Sequence, residues 1–137
     1  MSNIHKFSEN IKYDVAMDIA TLNGSANAPT YFSMANYDLA VFLIFSGTLA
    51  GSAAVTLQMR QRLGAAGAVA NVGTAGALAD SDDDAITVLQ VRGEELNVDG
   101  GYDRVGILCT ETESQNAELG VICLRMRPRY AQATLPA

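Results

Sequence analysis

Residues 37–62 read YDLAVFLIFSGTLAGSAAVTLQMRQR, and this stretch decides the fold. In its first part, Leu39, Val41, Leu43 and Phe45 share one parity, while Ala40, Phe42 and Ile44 share the other. An apolar residue at every position over this length predicts a central strand covered on both faces. In its second part, Val55, Leu57 and Met59 alternate with Thr56, Gln58, Arg60 and Arg62. That period of two predicts a strand with one dry and one wet face. The small residues between them predict a turn, and the two strands together a hairpin.

The same periodicity recurs on both sides. IKYDVAMDIATL (11–22) alternates in part and predicts an early strand, with a short helix over 14–21 as the competitor. NGSANAP (23–29) predicts a loop and TYFSM (30–34) a short strand. AITVLQV (85–91), VGILCTET (105–112) and LGVICLRMR (119–127) are further strand patterns. The last two are separated by ESQNAE, a polar turn of hairpin length, which makes them expected neighbours. VDGGYD (98–103) carries an Asp-Gly step suited to a tight turn. Between the two groups lies LGAAGAVANVGTAGALADSDDD (63–84). Its glycines oppose a helix and its alanines offer little to bury, so it is expected to be a long surface loop.

The expected fold is therefore all-β: one antiparallel β-sandwich or jelly-roll-like barrel of about 7–8 strands with a long Ala/Gly-rich loop. An α+β fold with a helix over the Ala-rich stretch is the runner-up. The expected organisation is a flexible arm at 1–10, a β-sandwich domain at 11–130 and a short tail at 131–137.

The chain has 137 residues, which suits one domain. Its formal net charge of −6 opposes general nucleic-acid binding. MSNIHKFSEN contains no signal-peptide core, and the apolar run LAVFLIF (39–45) is too short to cross a bilayer. A soluble protein made in the cytoplasm, without a membrane partner, is the expectation.

Chemistry has little to work with. His5 is the only histidine, so no His-dependent triad finds support. Cys109 and Cys123 lack C-x-x-C spacing and read as small buried hydrophobes. A disulfide between them would need an oxidising setting. Asp80, Asp82 and Asp84 imitate half of an EF-hand loop but lack its glycine and its distant glutamate, so they are weak metal candidates beside a plain solvated loop. Glu94 and Glu95 are adjacent and point to opposite faces of any strand. No dinucleotide loop or P-loop is present. Neither an enzyme nor a cofactor is expected.

The arginines are the remaining signal. Arg125 and Arg127 share a face with Val121 and Cys123, and Arg129 and Tyr130 follow Pro128. Arginine and tyrosine are favoured at interfaces. Arg125, Arg127, Arg129 and Tyr130 are therefore the candidate interface, with Lys6 and Lys12 on the N-terminal arm. The expected counterparts are acidic turns of a second copy at 80–84, 94–95 or 99–103; pairing within the chain is the alternative.

GYDRVGILCTET (101–112), a polar turn and AELGVICLRMRPRYAQA (117–133) resemble small β-rich proteins encoded among the head genes of tailed bacteriophages. Such proteins often carry a "GY..VGI" strand, a hairpin and a last strand ending in an arginine followed by "RY". The strand AVTLQ (54–58) and the Ala/Gly-rich middle are similar too. The resemblance implies a non-enzymatic virion structural protein, foremost a capsid decoration (cement) protein that self-associates and binds the major capsid protein. A connector, tail or fibre-anchoring protein is the alternative, and a carbohydrate- or calcium-binding β-sandwich module the second. It implies a virion location after synthesis in the bacterial host.

Overall fold

The computed structural model describes residues 11–128. Their strands are β1 (Ile11–Asn23), β2 (Phe32–Ser33), β3 (Tyr37–Leu49), β4 (Ala54–Leu63), β5 (Val69–Asn71), β6 (Gly76–Ala79), β7 (Ile86–Arg92), β8 (Tyr102–Glu111) and β9 (Asn116–Pro128). No α-helix occurs among the described residues, which removes both helical alternatives. Single 3-10 turns sit at Asp80–Asp82 and Gly93–Glu95.

The pairing is nested. β1 pairs β9, β2 pairs β8, β3 pairs β7, and β4 pairs both β5 and β6, all antiparallel. β9 then also pairs β3, and β8 also pairs β4. The chain is thus folded double about its middle and rolled up. The result is two sheets, A in the order β1-β9-β3-β7 and B in the order β2-β8-β4-β5, with β6 beside β4. This is the jelly-roll arrangement of a sandwich. Counting β5 and β6 as one broken edge strand leaves eight, at the upper end of the expectation.

The expected hairpins are corrected. β3 and β4 are in opposite sheets, and so are β8 and β9. The turns between them carry Ser52 and Ser114 at positive φ, 70° and 55°, and pass the chain across the sandwich. The gain is burial on both sides of one core: Phe42 and Ile44 of β3 meet Val55, Leu57 and Met59 of β4 in a single cluster. Cys109 and Cys123 are consequently in different sheets, both buried and both free.

The expected Ala/Gly-rich loop is also corrected. Two parts of 63–84 are strands β5 and β6. An edge strand is held chiefly by ladder hydrogen bonds, so small side chains suffice, with Val72 and Leu78 as its buried anchors. Gly73, at φ +70°, makes the break between the two pieces. Such a broken edge resists sheet extension.

Glu111 ties two crossovers at one end of the sandwich. Its side-chain oxygens accept the backbone N–H of Gly24 (2.6 Å), Glu113 (2.8 Å) and Gln115 (3.1 Å). Burial raises the pKa of this carboxyl, but the backbone N–H groups outweigh burial and leave it lowered.

Candidate assembly surfaces

Each strand of a sandwich shows one face to the core and one outward, so the outer faces of the two sheets are where a partner can dock. On sheet A the register builds that face row by row. Ile11, Met126, Leu39 and Arg92 form one row; Tyr13, Leu124, Val41 and Gln90 the next; Val15, Ile122, Leu43 and Val88 a third. Gly120, Phe45 and Ile86 continue it, and Ile19 leans over Gly120, where an added Cβ would come within 2.9 Å of Ile19 Cγ1. Nearly every position is apolar. Ile19 is 86% exposed, Ile86 62% and Val15 60%. An open hollow of about 370 Å³ lies at one end, lined by Val15, Met17, Asp18, Ile19, Phe45 and Ile122 among others. The sequence predicts β3 to be covered on both faces. Among the described residues no second layer covers its outer face, and that expectation is corrected.

Sheet B is built differently. Its outer face carries Thr56, Gln58, Arg60 and Arg62 from β4, opposite Thr110, Leu108, Gly106 and Arg104 of β8. Arg62 and Arg104 are a direct cross-strand pair of like charges. The Arg62 guanidinium lies 5.2 Å from the centre of the Tyr31 ring. Tyr31 rests on Gly106, where an added Cβ would meet its ring at 2.9 Å. The Nε atoms of Arg60, Arg62 and Arg104 are screened from solvent and meet no acceptor among the described residues.

The interface expected at the end of β9 is changed by the fold. Arg125 is 2% exposed, so it cannot contact a partner. Its side chain stays on the core side with Val121 and Cys123, at the open end of the sandwich. There Nη2 donates to Asp14 Oδ2 and Nη1 to the carbonyl of Ser33, each at 2.8 Å. The guanidinium also faces the rings of Tyr37 (4.9 Å) and Phe32 (5.5 Å). A buried charge needs this pairing, because an unpaired one costs several kcal/mol, on the order of 3–5. Its carboxylate partner is in its own chain, on β1, and is none of the acidic turns singled out from the sequence. Lys12 is half-buried on β1, in register with Arg125. Lys6, Arg129 and Tyr130 lie outside the described residues, as does the side chain of Arg127.

The acidic segment does not converge on a metal site. Asp80 Oδ2 accepts the N–H of Ser52, Asp82 Oδ2 that of Ala79 and Asp83 Oδ1 that of Leu49, at 3.2, 2.8 and 2.7 Å. These carboxylates brace the corner between β3, β4 and β6. No group of three His, Cys, Asp or Glu side chains among the described residues could hold a metal ion. Burial pushes the thiols of Cys109 and Cys123 up to about 12, so at neutral pH neither offers a thiolate. No described helix is long and apolar enough to cross a membrane.

Sequence reasoning missed the arginines of sheet B. The alternation in 54–62 already puts Arg60 and Arg62 on the wet face. What it cannot supply is the partner strand, and only the β4–β8 register brings Arg104 opposite Arg62.

The chain matches no protein-family model and no curated protein. Among solved structures, one shares its fold at a TM-score above 0.5 and two others align less well. The SPBc2 prophage-derived protein YomS is 10% identical, with 91% of this chain and 100% of that one aligned and a TM-score of 0.54. A protein of the disulfide-linked pili that form Bacillus endospore appendages is 15% identical over 93% of this chain and 99% of that one, TM-score 0.47. A structure of infectious bursal disease virus, Gx strain, is 9% identical over 90% of this chain and 34% of that one, TM-score 0.49. At 10% identity the likeness to YomS is one of fold alone.

Proposed function

We propose that this chain is a non-enzymatic structural protein of a tailed-bacteriophage particle, a decoration protein that seats on the head shell. The observation that carries the reading is the apolar outer face of sheet A. Four strands spaced about 4.8 Å apart and seven residues rising about 3.3 Å each make it roughly 20 Å by 20 Å. Monomeric proteins rarely leave contiguous apolar patches beyond a few hundred Å². Covering about 400 Å² at about 25 cal/mol/Å² gives roughly 10 kcal/mol, of the same order as the cost of association. One such contact is marginal alone and becomes firm when many copies bind a repeating lattice. A cement protein works under that condition. The resemblance of residues 101–133 to phage head-gene products supports the phage assignment, and the fold shared with YomS is consistent with it.

Quantitative mass spectrometry of purified particles tests the reading. Copies in the proportion of a shell lattice are expected. A single ring's worth would move the protein to the connector or tail, and absence would remove the proposal.

A further inference from the structure

The outer face of sheet B raises a separate question. Like charges directly opposite on neighbouring strands destabilise a sheet. Here Arg62 faces Arg104, and Arg60 is one row away opposite Gly106. None of the three forms an ion pair with a described residue. Their Nε–H groups are screened and, like that of Arg125, meet no acceptor among the described residues, so no hydrogen bond at Nε offsets this repulsion. The protein is acidic overall, with a net charge of −6, yet it concentrates three of its seven arginines here.

Of the chain's own carboxylates at this end, Asp99 is exposed and three others have contacts other than these arginines. Asp103 Oδ1 accepts the N–H of Gly64, Glu94 lies 3.6 Å from Arg92, and Glu95 Oε2 accepts the N–H of Arg92. At the other end of β4 the charge is of opposite sign. Ala54 pairs with Ala79, and Asp80, Asp82, Asp83 and Asp84 follow at once. Each of the first three engages one backbone N–H through one oxygen, and Asp84 stands exposed. The eight steps from Ala54 to Arg62 set the two groups about 25 Å apart along one strand.

We infer that the Arg60, Arg62 and Arg104 cluster, with Tyr31 at its centre, receives the acidic turn 80–84 of a second copy of this chain, joining copies head to tail. Guanidinium forks match carboxylates in geometry and charge, and the aromatic ring supplies rigid contact area. The contact is heterologous, so it propagates into a ring or a row. That suits a lattice and rests, for its setting, on the decoration reading above.

The test uses the full chain in sedimentation velocity at low and high salt. The wild type is expected to associate with rising concentration and to dissociate as salt rises. Arg62→Thr with Arg104→Thr is expected to sediment as a monomer while its melting temperature holds or increases, because the repulsion is relieved. Arg62→Glu is expected to abolish association, and Arg62→Glu with Asp84→Lys in one chain to restore it. A wild type that stays monomeric, an Arg62→Thr/Arg104→Thr variant that associates like the wild type, or a charge swap without recovery would overturn the contact. A melting temperature that falls in the threonine variant would instead make the arginines part of the structure and remove the inference. Absence from particles would sink the proposed function and leave this contact standing.

Discussion

Sheet A and sheet B share one core but meet solvent in opposite ways. Along β3, the outward Leu43 lies between Ile122 and Val88, and its face is apolar from one edge of the sheet to the other. Along β4, the outward Arg62 lies between Arg104 and Val69, and its face is polar and locally basic. Both sets of inward residues obey the same rule, with Phe42 and Leu57 fully buried. Inward residues are therefore fixed by folding, whereas outward residues are free to differ. The difference between these two faces is what a partner could read.

The two kinds of residue alternate within one strand. Phe42→Ala should cost about 3–5 kcal/mol of stability in a denaturant titration, because a cavity opens in the core. Leu43→Ser, one residue along, should leave the midpoint nearly unchanged and weaken attachment to particles. Equal losses of stability would show that the outer face of sheet A belongs to the fold rather than to a partner.

The buried arginine comes next. Asp14→Ala should destabilise by roughly 3 kcal/mol, since it strands the Arg125 charge beside Tyr37 and Phe32. Arg125→Met should cost less than Asp14→Ala, because it removes the buried charge altogether. The reverse order would return Arg125 to the surface role its sequence position suggests.

Glu111 gives a pH signature at one end of the sandwich. Its folded pKa lies below the ordinary 4.5, so its stabilising contribution is complete above that value. The contribution is lost as pH falls through the lowered folded value. Glu111→Gln should therefore lower the melting temperature at pH 7 and flatten its fall on acidification. An unchanged acid limb would place the sensitive group elsewhere.

The smallest expected effect is on sheet B. Arg62→Thr alone should raise stability by up to about 1 kcal/mol by relieving the pair with Arg104. A loss of that size would show that the cation–π contact with Tyr31 outweighs the repulsion.

Strand parity was legible in the sequence. The alternation of 54–62 put Val55, Leu57 and Met59 inside, as the structure has them. The strand count, the closely spaced turn signals and the lack of a long helical pattern led to a sandwich or jelly roll. Pairing was not legible. Short turns suggested hairpins at 48–53 and 113–118, but turn length does not say whether the chain returns beside itself or crosses to the facing sheet. That choice depends on burying both apolar faces at once, a property of the whole chain. The Ala/Gly stretch hid its strands because an edge strand needs backbone partners more than side chains. The arginines of 125–129 were visible as a cluster, yet whether a guanidinium at a strand end faces water or a carboxylate depends on Asp14, more than 100 residues away. The triad of sheet B required knowing that β8 lies beside β4.

In the proposed attachment, sheet A docks through its outer face. Cryo-electron microscopy of particles bearing this protein measures it directly. Density is expected for a two-sheet body in which Leu43, Ile122 and Val88 lie against the shell. Density with that face turned to solvent, and another part of the molecule on the shell, would contradict it.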